Sequence, residues 1–395
     1  MKIALLCAGL GNIARGHEVF ARDLFTLLGD SVDITLFKGG GAPAERELVI
    51  ANISRNDPAL QAVRMPTASP KWEQVAIEQE RLRIEAETFT HAALQPLLEG
   101  GYDIIHCLER EVCERLYGLR HLFANPPKIL FSNGGAIPAA DLPPCDAVQE
   151  HTPYNLQRSA RAKAFMIPHG VDTERFHPEV PTEFRARHGI PADAFVVISV
   201  GTICFWHKRM DHVIREMATL PEVWLVIVGQ ESPDTPAIKA LGEQLMPGRI
   251  VFTKLPHAEL PTAYAAADVF VLGSLFEAFG IVYVEAMAMG LPVISTEHPN
   301  QRGIVQEGLF VDMARPGALS AALRAQSREQ LRALGERGRQ VALRDYDVRR
   351  LRERYLAAYR ELAARQALLP RWTLSSRLAA HARGVLKQLR RQWVR

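Results

Sequence analysis

Apolar residues recur along this chain in two alternating rhythms, short unbroken runs and longer stretches with helical spacing. Residues 2–7 form a buried-strand pattern, apolar after Lys2, that leads through Gly9-Leu10-Gly11 into a helical pattern over 13–28. A strand that is apolar throughout has no solvent face, so such a run predicts burial on both sides. Further runs fall at 33–37, 102–106, 128–131 and 165–167, with a long charged helical pattern over 71–98. Residues 148–155 bring His151 and Tyr154 near another strand end, ahead of helical 156–162. After Pro178 to Pro181 the alternation restarts: strand-like 195–201, 224–229, 250–252, 268–272 and 293–295 are separated by helical 211–220, 238–245, 260–267 and the stretch from Ile281. Residues 319–342 and 348–368 read as two more long helices, interrupted by Asp345-Tyr346-Asp347.

Alternation of this kind predicts an α/β chain of parallel sheets with helices on both faces. A single core rarely keeps growing over 395 residues, so two domains are expected. The division predicted is an N-terminal Rossmann-like domain over 1–178, a second domain over 182–345, a helix over 346–368 returning to the first, and a tail over 369–395.

Composition narrows the class. Hydrophobic residues make up 48% and charged residues 23%, an ordinary soluble balance, and a net charge of only +3 argues against nucleic acid as a partner. The five cysteines form no CxxC pair, which predicts buried thiols in a reducing compartment. Residues 1–10 are too brief an apolar run for a signal peptide and continue into a glycine turn, so they read as a first strand. No run approaches the roughly 18 apolar residues that read as a membrane span. The tail differs from the rest: residues 369–395 hold seven Arg/Lys and no acid, with Trp372, Leu374, Leu378, Val385, Leu389 and Trp393 loosely on one helical face. That composition fits an interfacial helix on an anionic membrane surface, and also a solvated tail or a partner-docking helix.

The candidate chemistry centres on DVFVLGSLFEAFGIVYVEAMAMGLPVI, residues 268–294. A strand ends in Gly273-Ser274, Glu277 stands at a loop-to-helix junction, and Glu285 follows two turns later. Two acids at the end of a parallel strand suit hydrogen bonds from a polyol ligand, or else a helix cap and a surface carboxylate. His207-Lys208-Arg209 forms a basic cluster after strand 195–201. His106 ends a buried strand, on the edge where parallel sheets place their sites. The turn at Gly9–Gly11 partly matches a dinucleotide fingerprint, but strand 33–37 ends in Lys38 and glycines, not in the acid that a nicotinamide ribose requires.

Taken together, these features resemble the retaining nucleotide-sugar glycosyltransferases of family 4, with the GT-B architecture of two Rossmann-like parallel-sheet domains facing a central cleft. The resemblance rests on Glu277-AFGIVYV-Glu285 with Gly-Leu-Pro-Val beyond, on His169-Gly170-Val171-Asp172 with Phe176 and Pro178, and on Gly9 to Gly11. It covers roughly residues 1–365. It implies that Glu277 lies against the transferred sugar, that Glu285 holds the nucleotide ribose, and that Lys208 clamps the diphosphate. Gly11, Gly201, Thr202, Arg209, Phe279, Gly280 and Ile281 are then donor-binding positions, while Asn12, Glu109 and His151 fall on the acceptor side and His106 stands as a catalytic candidate. Two departures are specific: Thr202 occupies the place of a family arginine, with Arg209 or His207 as its replacement, and Leu108 stands where the family has a histidine.

The activity implied is transfer of a hexosyl group, with retention, from a UDP- or GDP-sugar to an acceptor hydroxyl, with no metal or other cofactor. The basic tail favours a lipid-linked or membrane-proximal glycan or glycolipid acceptor, and a cytoplasmic protein resting on the inner face of the cytoplasmic membrane. The alternatives are a soluble sugar or sugar-phosphate acceptor, and a non-catalytic scaffold subunit.

Overall fold

The computed structural model describes residues 1–13, 16–65, 70–160 and 162–369. Its strands sort into two sheets, in each of which every pairing is parallel. The first contains β1 (Lys2–Cys7), β2 (Asp33–Lys38), β3 (Glu47–Val49), β4 (Ile104–Cys107), β5 (Lys128–Ser132), β6 (Ala147–Glu150) and β7 (Ala164–Met166), in the order β3-β2-β1-β4-β5-β6-β7. The second contains β8 (Phe195–Val200), β9 (Val223–Val228), β10 (Ile250–Thr253), β11 (Val269–Val271), β12 (Val293–Thr296) and β13 (Leu309–Val311), in the order β10-β9-β8-β11-β12-β13. In both sheets the strand order reverses beside the first strand, which opens a crevice at the C-terminal strand ends. These are the two Rossmann-like domains of a GT-B fold.

The apolar runs are explained by what covers them. Along β1, Ile3, Leu5 and Cys7 enter one core cluster while Ala4 and Leu6 enter another on the opposite face. Along β8, Val196, Ile198 and Val200 face one cluster and Val197 the other. Each sheet is thus buried on both sides, and the polar residues its strands carry, such as Ser199 and Gln149, are buried with the rest.

The two sheets are tied by a double crossing. Val171 N donates to Tyr346 O at 2.8 Å and Val348 N to Val171 O at 3.2 Å. The helix Val348–Ala364 then returns to the first sheet, where Leu351, Tyr355, Leu356, Tyr359 and Leu362 join its core. The Tyr355 and Tyr359 hydroxyls pair with Gln149 and His106.

Local chemistry corrects several expected boundaries. The helix expected over 319–342 is two, Ala318–Arg324 and Arg328–Val341, because Ser327 and Gln330 form a capping box between them. The helix expected over 156–162 lies earlier, at Pro153–Arg158, where the Thr152 hydroxyl accepts from Asn155 N and proline occupies the first turn. The edge strand Glu47–Val49 and the helix Arg110–Leu119 were not anticipated. Among the described residues no helix is long and apolar enough to cross a membrane. The basic tail lies outside the described residues from residue 370 onward.

Candidate functional site

β8 and β11 are hydrogen-bonded neighbours, with Val197 opposite Val269. The loops that follow them therefore emerge side by side at the sheet's C-terminal edge, and they carry the basic cluster and the first acid. Lys208 Nζ donates to Glu277 Oε1 at 2.6 Å, and the Ser274 hydroxyl donates to the same oxygen at 2.6 Å. His207 Nε2 stands 3.4 Å from it. Glu277 is buried, and burial pushes its carboxyl up, but Lys208 and His207 outweigh that and hold it down at about 2. Its main-chain carbonyl accepts from the amides of Asn300 and Gln301, each at 2.7 Å, so both ends of the residue are fixed. A lysine ammonium has three donors; one is used on Glu277, which leaves two for an incoming anion.

Gly201 makes the lysine's path possible. Its φ is +148°, and a Cβ there would lie 2.9 Å from Lys208 Cε. Thr202 follows, half-buried and uncharged. Of the two side chains expected to replace the missing arginine, Arg209 is committed elsewhere: its guanidinium donates to the carbonyls of Met313 at 2.6 Å and Gly273 at 3.4 Å. His207 is the one that reaches the acid, and its ring stacks on the highly exposed Trp206 with centroids 5.2 Å apart.

Glu285 lies on the helix Ile281–Ala288, which Gly280 begins in the left-handed conformation. One carboxylate oxygen meets His257 Nε2 at 2.7 Å and the other accepts from the Tyr264 hydroxyl at 2.9 Å. Burial and the neighbouring Glu285 push the Tyr264 hydroxyl well above its ordinary range, so it remains a donor. A carboxylate offers about four acceptor directions, so Glu285 keeps capacity for ligand hydroxyls. Phe279 departs from expectation. Its ring is buried, edge-on to His169 at 4.8 Å and to Tyr346 at 5.9 Å, and serves the core between the domains. Ile281 packs against the cores of both domains.

On the opposite side, Gly11 has φ +93°, and a Cβ there would fall 2.1 Å from Gly40 O. Asn12 Nδ2 donates to Gly39 O at 2.9 Å and Gly40 N to Leu10 O at 3.0 Å. The two glycine segments thus interlock into one wall. Glu109 is buried behind that wall, where its carboxylate accepts from Ala8 N at 2.7 Å and lies 3.3 Å from His17 Nε2. Among the described residues, Cys7, His17 and Glu109 form a group whose ligand-type atoms lie within 4.8 Å of one another.

His106 is corrected by the structure. It is fully buried and its Nδ1 pairs with the Tyr359 hydroxyl at 2.8 Å, because the returning helix covers that face of β4. Burial, with His151 nearby, drives its imidazole down to about 3. It has no surface to offer a substrate. His151 is also buried, with Nε2 3.0 Å from the Ser132 hydroxyl and its ring stacked on His169 at 3.9 Å. Burial lowers it to about 3.

Sequence reasoning missed Ser274, Asn300 and Gln301 around the first acid, and His257 and Tyr264 around the second. Ser274 stands only three positions before Glu277, whereas Asn300, Gln301, His257 and Tyr264 come from separate elements that only the fold brings to the acids. Pro299, in the first turn of the helix Pro299–Val305, was the one local signal that the two amides stand at a helix start.

Residues 181–341 match the family model described as glycosyl transferases group 1. The D-inositol 3-phosphate glycosyltransferase of Mycobacterium leprae (strain Br4923) is 36% identical over 151 residues, 36% of this chain and 34% of that protein. The match thus spans about a third of that relative's length. Among solved structures, the sucrose-phosphate synthase of Thermosynechococcus elongatus superposes with a TM-score of 0.75 at 22% identity, covering 92% of this chain and 99% of that one. Anabaena HepE in complex with UDP-glucose superposes with a TM-score of 0.69 at 16% identity, covering 91% and 100%. At these identities the two superpositions establish the shared fold.

Proposed function

Because residues 181–341 relate the chain to the group 1 glycosyl transferases, we propose that it is a retaining hexosyltransferase using a nucleoside diphosphate sugar. The observation that carries this reading is the Lys208–Glu277 pair at 2.6 Å, lodged at the C-terminal edge of the second sheet with Glu285 two turns further along. In this reading Lys208, with His207 beside it, neutralises the diphosphate as it leaves, which takes the place of the missing arginine at Thr202. Glu277 lies against the transferred sugar, and Glu285 accepts from the ribose hydroxyls. The bond from the anomeric carbon to the diphosphate oxygen breaks as the acceptor oxygen attacks from the same face, and the acceptor proton passes to the departing phosphate. The protein's part is positioning and charge stabilisation between two domains. His106 has no part in this chemistry.

We assign the acceptor to soluble sugars or sugar phosphates ahead of lipid-linked glycans. The mycobacterial relative is named for an inositol phosphate and the superposing synthase for a sugar phosphate. HepE, in complex with UDP-glucose, makes UDP-glucose the first donor to try. The basic tail retains a separate proposal, attraction to anionic membranes, which requires that deleting 369–395 abolish binding to phosphatidylserine vesicles.

The test is a matrix of UDP- and GDP-sugars against hexoses, hexose phosphates, inositol phosphates and glycolipids, read as acceptor-dependent release of UDP or GDP. Release with a phosphorylated or free sugar is expected. Release with glycolipid alone overturns the acceptor class, and absence of both turnover and calorimetric binding of UDP and GDP identifies a silent scaffold instead.

A further inference from the structure

A further cavity of about 290 Å³ lies at the domain junction, and neither Lys208, Glu277 nor Glu285 lines it. Three parts of the chain build it. His151 and Met166 come from the first sheet's domain, Gln306 follows the helix Pro299–Val305 of the second, and Arg344, Arg350 and Arg354 belong to the crossover and the returning helix. That volume stands at the lower end of small-molecule sites, which run from roughly 300 Å³ upward.

Its charge is unbalanced. Arg344 is neutralised by Asp345, to which its Nε and Nη2 donate at 2.8 and 2.7 Å, and Gln306 accepts from it at 2.8 Å. Arg349 lies outside the cavity and is paired with Asp347 and Glu174. Among the described residues, no carboxylate lies within ion-pair distance of Arg350 or Arg354; Arg354 donates to the Met166 carbonyl at 2.6 Å and feels the Asp345 carboxylate, which also lines the cavity, at longer range. These two arginines stand one turn apart on the same face, where like charges repel. Arg350 also falls in the first turn of the helix Val348–Ala364, the end at which the helix dipole disfavours cations. Two unfavourable placements converge on one cavity, and a bound anion relieves both.

We propose that this junction cavity binds a phosphate monoester, its dianionic head held by Arg350 and Arg354 and the remainder seated against Gln306. Arginine forks match phosphate oxygens bidentately. Since the walls come from both domains, such a ligand bridges them and holds them in the arrangement seen here. The site is an effector site, distinct from donor and acceptor binding, and it stands whether or not the transferase reading does.

The test is calorimetric titration of the full chain at low ionic strength, with inorganic phosphate in one arm and glucose 6-phosphate in the other, so that no turnover is needed. Saturable binding is expected in at least one arm, weakened about tenfold or more in an Arg350→Ser/Arg354→Ser variant and retained in Lys208→Ala. Equal binding in both arms identifies a bare phosphate site, and binding of the sugar phosphate alone identifies a sugar-phosphate effector. Should the double variant melt earlier than the natural protein, the Arg350→Ser variant alone decides, since that side chain has no ion-pair partner to lose. Absence of binding in both arms overturns the proposal. So does unchanged affinity in the arginine variants, and so does loss in Lys208→Ala alone, which assigns the phosphate to the cleft.

Discussion

Lys208 Nζ and Glu277 Oε1 lie 2.6 Å apart across two loops that leave neighbouring strands, with Glu277 buried and Lys208 largely so. Glu277 stays ionised, against its burial, because Lys208 is there. Removing the lysine therefore acts twice, on the charge available to a leaving diphosphate and on the stability of the acid left behind. Lys208→Ala is expected to lower kcat by about 100- to 1000-fold, the usual cost of deleting a donor aimed at developing charge. It should also destabilise the protein by a few kcal/mol, toward the lower end of the ~3–5 kcal/mol seen for broken buried pairs, because Ser274 and His207 still reach the carboxylate. Turnover assays alongside denaturant melts separate the two effects, and near-normal turnover with a lowered midpoint would refute the diphosphate role.

Gly201 offers a way to move Lys208 without removing its charge. A Cβ at this position would sit 2.9 Å from Lys208 Cε, and the backbone angle of +148° is one that side chains rarely adopt. Gly201→Ala is expected to cost about 1–3 kcal/mol through strain and to depress kcat by more than the loss of folded protein explains. Displacing a catalytic charge by about 1 Å is enough to cost on the order of 100-fold. Equal turnover per folded molecule would show that the lysine tolerates the shift.

The second acid separates binding from turnover. Glu285 is held by His257 and Tyr264, with its two oxygens already oriented. Tyr264→Phe keeps the ring packing but leaves one oxygen without its donor, at a cost of about 1 kcal/mol, or fivefold in affinity. Glu285→Ala removes the acceptor altogether. Calorimetry with UDP is expected to show modest weakening in Tyr264→Phe and much stronger weakening in Glu285→Ala. Unchanged affinity in both variants contradicts the ribose assignment.

How much of this was legible in the sequence differs by element, for physical reasons. β1 and β8 were readable because burial on both faces demands apolar residues at nearly every position, a demand independent of the partner strand. The acids at 277 and 285 were readable because one loop and one helix carry both. The role of His106 was not. Whether a histidine at a strand end faces a cleft or a covering helix depends on where Tyr359 arrives, and that residue lies 253 positions away. The choice between Arg209 and His207 was closed to the sequence for a similar reason: Met313, to whose carbonyl Arg209 donates, is 104 positions distant. Side chains around Glu277 come from three separate segments, and no periodicity within any one of them records that they meet.

Stability should fall as the solution is acidified from neutrality, and the buried histidines determine where. In an unfolded chain a histidine titrates near 6.5, whereas burial holds His106 and His151 at about 3 and His169 well below its ordinary value. Below pH 6.5 the unfolded chain therefore takes up protons that the folded one refuses. Each such histidine makes stability fall by up to about 1.4 kcal/mol per pH unit, continuing toward pH 3. His17 acts in the opposite sense: burial pushes it down, but the hydrogen bond to Glu109 and the charges of Glu109 and Glu18 outweigh that and raise it, so its contribution is present at low pH and fades as pH rises. Glu277 adds a later loss: held at about 2, it stabilises the fold above its ordinary 4.5, and that stabilisation disappears as pH falls from there toward 2. Denaturant melts at pH 7.5, 6.5 and 5.5 are expected to show a declining free energy of unfolding. His151→Phe, which keeps a ring against His169, should remove about one proton's worth of that slope. A flat profile in the natural protein, or an unchanged slope in the variant, would mean that the stacked pair takes up protons without disturbing the domain junction.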